Sequence, residues 1–89
     1  MKLEYLKVNL DVLRDVGSDA AILFALMKYG KFPVDGSGWF ALDASYVSRI
    51  THWNRCHFYR VRNKLVNAGY INVFQGINQN NKPKYKLLK

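Results

Sequence analysis

The residue types that could support covalent or metal chemistry meet at one point of the chain, where His52, Cys56 and His57 lie close together. His52 and Cys56 are four residues apart, so on a helix they could share a ligand. Four zinc ligands would need a second cysteine or an acidic side chain nearby, and the sequence has neither there. Cys56 and His57 are adjacent, and adjacent helical residues point about 100° apart, which disfavours a catalytic pair. We therefore expect no enzyme activity, no metal site and no cofactor.

The remaining candidate residues are basic, and they are unevenly distributed. All six acidic residues precede Ala44, whereas nine of the 14 lysines and arginines follow it. Such a surface attracts a polyanion by neutralising phosphates and releasing counterions, provided that the basic groups share a face. The alternative interpretation is an ordinary basic, solvated surface.

The length of 89 residues and the apolar fraction of 49% predict one domain, residues 1–89, with a single core. The longest apolar run, residues 20–27, is shorter than the roughly 20 residues that a membrane span requires. The charged start of the chain contains no apolar segment of the signal-peptide kind. A single cysteine cannot form an internal disulfide. We therefore expect a cytoplasmic protein that does not enter a membrane.

The first third of the chain predicts a strand and a central helix. Apolar and polar residues alternate over residues 6–10, which predicts a short half-buried strand, and residues 11–16 could form a helical turn. Ser18 is the predicted N-cap of a helix over residues 20–29 that Gly30 closes. Because this helix is apolar on nearly all sides, we expect it to be the structural centre.

A short helix, a bend and a longer helix follow. Asp43 is the predicted N-cap of a helix over residues 44–50, and Asn54 is the predicted N-cap of a helix from Arg55 to about Ala68. Gly69 supplies the left-handed residue that ends the second helix. This arrangement is a helix-turn-helix.

Three short strands complete the prediction. Residues 39–42 form one strand, and residues 70–74 and 84–88 form a hairpin across a polar segment rich in glycine and asparagine. The predicted order is strand, helix, strand, helix, helix, strand, strand. The fold class is therefore α+β.

The chain resembles the winged helix-turn-helix superfamily in two runs, LDASYVSRIT at residues 42–51 and NRCHFYRVRNKLVNAGYI at residues 54–71. In that family a polar cap opens the recognition helix, a leucine and a glycine four residues apart close it, and an apolar residue starts the wing. The match extends over about residues 17–88. The resemblance implies a three-helix core with a small β-sheet, a C-terminal β-hairpin wing, and double-stranded DNA as the partner.

Within the superfamily, the chain looks most like the N-terminal domains of phage replisome organisers, DnaD-type proteins and plasmid replication initiators. This resemblance implies replication initiation or transcriptional regulation. Such relatives usually continue into a second domain, so the chain is either a freestanding version or a fragment. MarR-type repressors dimerise through long flanking helices that this sequence lacks. Their absence argues against a dimer of the MarR kind. Another form of homodimer and a replication or transcription protein stay open as further partners.

The recognition helix has a clear apolar stripe. Phe58, Val61 and Leu65 recur at i, i+3 and i+7 and should pack against the first helix. The side chains that we expect to contact DNA from the two helices are Ser45, Asn54, Arg55, His57, Tyr59, Arg60, Asn63 and Lys64.

These side chains differ in their expected roles. Arg55 and Arg60 are the best candidates for base or groove contacts, and Tyr59 and His57 for phosphate or sugar. Arg62 should lie to one side, near the wing or paired elsewhere. The alternative for the whole face is an ordinary solvated helix.

Two weaker phosphate sites complete the predicted interface. Lys84 and Lys86 alternate with apolar residues, so both should lie on one face of the wing, with Lys82 and the tip at residues 78–81 beside them. Lysines that guard an exposed edge strand are the alternative. Ser45 and Ser48 start the shorter helix, where amides and hydroxyls often hold a phosphate, although serine there can also be only a cap.

Two other functions use the same fold. A winged helix can be a protein interaction module that does not bind DNA, and its exposed surface would then be apolar. RNA is the other possible polyanion, and the charge does not exclude it. The basic surface favours DNA over a protein partner.

Overall fold

The computed structural model describes residues 7–30, 32, 34, 36–74 and 83–89. Within them the chain forms four helices and an antiparallel sheet of three strands, so the predicted α+β class is confirmed. The elements in chain order are α1 (Leu10–Val16), α2 (Ser18–Tyr29), β1 (Phe40–Ala41), α3 (Ala44–Thr51), α4 (Arg55–Asn67), β2 (Ile71–Phe74) and β3 (Lys84–Leu87).

Helix α2 is the centre of the domain, as the sequence predicts. Leu23 and Leu26 are at most 1% exposed, and α1 and α4 both pack against this helix. The predicted stripe of α4, Phe58, Val61 and Leu65, belongs to the same apolar core. Full burial of each such side chain stabilises the fold by about 1.5–3 kcal/mol. These contacts fix the rotation of α4 about its axis.

Strand β3 lies between β1 and β2 in the sheet. Its Tyr85 is 0% exposed and pairs with Phe40 of β1 and Val73 of β2. Strands β2 and β3 are antiparallel neighbours, as expected of the predicted hairpin. The predicted tip at residues 78–81 and Lys82 lie outside the described residues.

The predicted strand at residues 6–10 is wrong for the part that the structure describes. Residues 7–9 are irregular, and Leu10 begins α1. The cause is Asn9, whose Oδ1 accepts hydrogen bonds from the backbone N–H groups of Asp11 (2.8 Å) and Val12 (3.4 Å). An asparagine in this position caps a helix, and the cap outweighs the alternating pattern. The described order therefore starts with a helix, and the core has four helices instead of three.

Gly17 alone joins α1 to α2, so the prediction that Ser18 is the N-cap is wrong. The Gly17 N–H donates to the carbonyl of Leu13 (2.9 Å), and its carbonyl accepts from the N–H of Ala21 (3.0 Å). Ser18 is thereby the first residue of α2. The backbone of Gly17 has φ +88° and ψ 172°, a region that is essentially restricted to glycine.

We predict that Gly17→Ala lowers the free energy of unfolding by about 1–3 kcal/mol, because alanine must adopt that strained backbone. Urea denaturation followed by circular dichroism measures the change. Gly36→Ala is the matched control, since no atom lies within 4 Å of its added Cβ and its φ is not positive. If the two substitutions changed the free energy of unfolding equally, a side chain at position 17 would not strain the turn, and the prediction would be wrong.

Candidate nucleic-acid interface

Both predicted caps of the helix pair are confirmed. Asp43 Oδ1 accepts a hydrogen bond from the backbone N–H of Ser45 at 3.1 Å, at the start of α3. Asn54 Oδ1 accepts from the backbone N–H of His57 at 2.8 Å, at the start of α4. Each cap satisfies an N–H group that has no partner inside the helix. The two polar residues therefore fix where α3 and α4 begin.

The turn between α3 and α4 is held by short-range hydrogen bonds. His52 has a left-handed backbone (φ 62°), and its N–H donates to the carbonyl of Ser48 at 2.8 Å. The Thr51 hydroxyl donates to the carbonyl of Val47 at 2.8 Å and accepts from the N–H of Trp53 at 3.2 Å. This network gives α4 a defined direction relative to α3.

The side of α4 opposite the core is polar and exposed. At 100° per residue, the helix places Cys56, Asn63 and Asn67 near the middle of that side, with Arg60 and Tyr59 on its two flanks. All five are exposed, and we call them the outer α4 face. Cys56 is a free, exposed thiol, and the interface predicted from the sequence did not include it. The 3.6-residue period relating it to Arg60 and Asn63 is the sequence signal that could have included it.

His57 is engaged inside the fold. Its Nε2 lies 2.7 Å from Asp19 Oδ2 in α2, and its ring meets that of Trp53 edge-on at 5.1 Å. The side chain is 38% exposed, so it is only partly available to solvent. A phosphate contact by His57 would have to compete with the Asp19 carboxylate.

Arg62 packs between α4 and the sheet. It is 8% exposed, its guanidinium lies 4.7 Å from the centre of the Tyr59 ring, and it donates to Asn63 Oδ1 at 3.3 and 3.4 Å. Burial raises the pKa of Tyr85 in β3, and the nearby Arg62 charge opposes that rise. Of the two locations that the sequence left open for Arg62, the structure shows the one near β3.

Two buried polar atoms at this junction, Arg62 Nη1 and the Tyr85 hydroxyl, have no hydrogen-bond partner among the described residues. A buried cation that leaves one of its N–H groups without an acceptor is costly to desolvate. The aliphatic part of Arg62 and its contact with Tyr59 offset this cost through packing and a cation–π interaction.

The acidic side chains around the core form internal contacts. Asp19 bonds His57, Asp15 accepts from the Tyr70 hydroxyl at 2.7 Å, and Asp43 caps α3. Between described residues, the one ion pair is that of His57 with Asp19. Three cationic side chains of α4 therefore have no acidic partner among the described residues: Arg55, Arg60 and Lys64. Among the described residues, no ion pair offsets their positive charge.

The start of β3 lies beside the first turns of α4. One cleft is bordered by Arg55 and Tyr59 from α4 and by Pro83 and Tyr85 from the end of the chain. Lys84, between those last two residues, is exposed. The backbone at Lys84 therefore lies near the N-terminal turn of α4.

The start of α3 forms a second, shallow cleft on the same side of the domain. Ser45, Ser48 and Arg55 border it. The N–H groups of Ser45, Tyr46 and Val47 already donate to Asp43, so the donors left for an anion at this position are the serine hydroxyls and the Arg55 guanidinium. This cleft is continuous with the basic turn of α4, because Arg55 borders both clefts.

Comparisons with family models, curated proteins and solved structures found no match to this chain. Among the described residues, no group of three or more histidine, cysteine, aspartate or glutamate side chains is arranged to hold a metal ion. No helix in that part of the chain is long and apolar enough to cross a membrane.

We predict that Arg62→Ala lowers the free energy of unfolding by about 2–3 kcal/mol, whereas Arg62→Met changes it by less than about 1 kcal/mol. Methionine retains most of the packing against Tyr59 and removes a buried charge whose Nη1 has no described acceptor. Urea denaturation of both variants measures the difference. If methionine is as destabilising as alanine, the guanidinium charge itself holds α4 to the sheet.

Proposed function

We propose that this chain is a winged helix-turn-helix domain that binds double-stranded DNA, with α4 as the recognition helix and the β2–β3 pair as the wing. The observation that carries the proposal is the contrast between the two sides of α4. One side belongs to the core, and the other presents basic and polar side chains without acidic partners in the described residues.

The order of the elements supports the winged-helix interpretation. Helices α2, α3 and α4 enclose the core, β1 lies between α2 and α3 along the chain, and β2 and β3 follow α4. The sheet order β1-β3-β2 brings the C-terminal pair of strands to the side of the domain where α4 begins. Helix α1 precedes these elements and adds Val12 and Val16 to the core.

The outer α4 face is suited to reading bases. An α-helix with its side chains is about 10–12 Å wide and enters the major groove, which is about 12 Å wide. Arginine pairs well with guanine and asparagine with adenine, so Arg60 and Asn63 are the residues that we assign to base edges. Arg62 donates to the Asn63 side-chain oxygen, which limits the orientations that this amide can take.

Phosphate contacts are assigned to the margins of the same surface. Arg55 with the cleft at Ser45 and Ser48 would hold one backbone segment, and Lys84 at the start of β3 would extend that contact along the wing. Such contacts set the register of the protein on DNA without reading sequence. Of the described acidic residues, Asp15 and Asp19 bond within the fold, whereas Asp43, the cap of α3, borders the same cleft as Arg55.

The biological role that we propose is replication initiation or transcriptional regulation in the cytoplasm, with a homodimer or a replication or transcription protein as a further partner. A winged helix that binds a protein helix instead would expose an apolar α4 face. The outer α4 face carries the exposed polar side chains of Arg60, Asn63 and Asn67, which favours DNA.

We predict that Arg60→Ala weakens duplex binding by about 1–3 kcal/mol and reduces the preference for one sequence over another. Lys84→Ala should instead weaken all sequences alike and lower the slope of log K against log salt by about one. Fluorescence anisotropy with labelled duplexes at several salt concentrations measures both effects.

Lys28→Ala is the matched control for Lys84→Ala. It removes the same charge from an exposed site near the end of α2, where Lys28 lies 5.9 Å from the Phe24 ring. We expect this variant to bind duplex DNA almost as the wild type does. Equal losses in both lysine variants, or duplex binding that does not depend on salt, would contradict the proposed interface.

A further inference from the structure

The sheet has a second side, turned away from the core, with an unusual composition. Antiparallel partners lie on the same side of a sheet, so Ala41, Lys84 and Phe74 form one row across the three strands, and Asn72 and Lys86 form the next. We call this side, together with the adjoining Trp39, the outer sheet face. The opposite side carries the row of Phe40, Tyr85 and Val73, of which Phe40 and Tyr85 are buried and Val73 is partly buried against the core.

Two aromatic rings meet on the outer sheet face. Phe74 ends β2 and is 54% exposed, and its ring centre lies 6.4 Å from that of Trp39, with the planes 68° apart. Trp39 precedes β1, and β3 lies between β1 and β2. The aromatic pair therefore spans the central strand. The exposed Phe74 ring is therefore accessible from solvent beside Trp39.

Two lysines accompany the rings. Lys84 and Lys86 belong to the same side of β3, and neither forms an ion pair within the described residues. The side chain of Lys86 runs beside Gly38, with its Cε 3.4 Å from the position of a Cβ there. No acidic residue belongs to this face, and the exposed Asn72 adds an amide that can donate and accept hydrogen bonds.

We propose that the outer sheet face binds single-stranded DNA, with a base stacked on Phe74 and the backbone phosphates beside Lys84 and Lys86. Aromatic rings next to basic side chains are the common means of holding single strands, because every base has a π-face and every nucleotide has a phosphate. Duplex DNA does not offer its base faces to such rings. The charge complementarity argues against an apolar protein surface as the occupant.

The location of this face relative to α4 adds a consequence. Lys84 belongs to the outer sheet face and also lies between the residues that border the cleft with Arg55 and Tyr59. A single strand bound to the sheet would therefore extend from the domain at a point close to a duplex bound to α4. Two parts of this inference rest on the proposed duplex binding: the choice of DNA rather than RNA, and the closeness of the single strand to a duplex. The stacking surface itself does not depend on duplex binding.

The test measures binding of a labelled thymidine oligonucleotide of about ten nucleotides by fluorescence anisotropy, a length within the range that small single-strand sites cover. Phe74→Ala should weaken this binding by about tenfold, the loss expected when one base loses its stacking partner. Phe74→Trp should retain it. Duplex binding should change much less in both variants, because Phe74 is not among the side chains assigned to the duplex.

Leu10→Ala is the matched control, because Leu10 is an exposed apolar residue (62%) on α1. It should bind the oligonucleotide as the wild type does. No binding of the oligonucleotide by the wild type, or equal losses in Phe74→Ala and Leu10→Ala, would overturn the inference. Tighter binding of a uridine oligonucleotide of the same length would overturn the assignment to DNA.

The two proposals fail separately. If duplex DNA does not bind but the oligonucleotide binds in a Phe74-dependent way, the proposed function is wrong and the single-strand site stands. If Arg60→Ala weakens the duplex complex and Phe74→Ala affects neither complex, the single-strand site is wrong and the proposed function stands.

Discussion

Phe58, Val61 and Leu65 hold one side of α4 in the core that α2 organises, and this contact determines what the rest of the surface can do. Because a helix repeats every 3.6 residues, burying these three side chains commits Arg60 and Asn63 to solvent. Rotation of α4 by a single residue would carry charged side chains into the core, at a cost of several kcal/mol per unpaired ion. The exposed chemistry is thus a consequence of apolar packing.

The sheet is connected to α4 through an unusual contact. Arg62 faces the Tyr59 ring and lies near the buried Tyr85 at the centre of β3. A shift of β3 relative to α4 would therefore disturb Arg62, and with it the positions of Tyr59 and Asn63. Packing of this kind keeps the two proposed DNA-binding elements, α4 and the β2–β3 pair, in a fixed relation.

The sequence was sufficient for features with local causes. Caps such as Asp43 and Asn54, and the apolar stripe of α4, depend on residues within a few positions of one another. The prediction failed at Asn9 and Gly17, where the same residues are compatible with two local structures and the adjoining helices decided between them.

The sequence pattern could not predict contacts between residues that are distant along the chain. The bond between His57 and Asp19 joins residues 38 positions apart. The pairing of Trp39 with Phe74 depends on the sheet order β1-β3-β2. Neither contact leaves a periodic signal in the sequence, because tertiary packing creates both contacts.

The most direct test of the account uses Cys56, the one cysteine of the chain, which is exposed on the outer α4 face. Its alkylation rate in the native protein is measured by mass spectrometry with and without saturating duplex DNA. The account predicts that duplex DNA strongly slows alkylation and that added salt, which releases the DNA, restores the rate. An unchanged alkylation rate, with the duplex shown to be bound by anisotropy in the same sample, would contradict the placement of α4 in the groove.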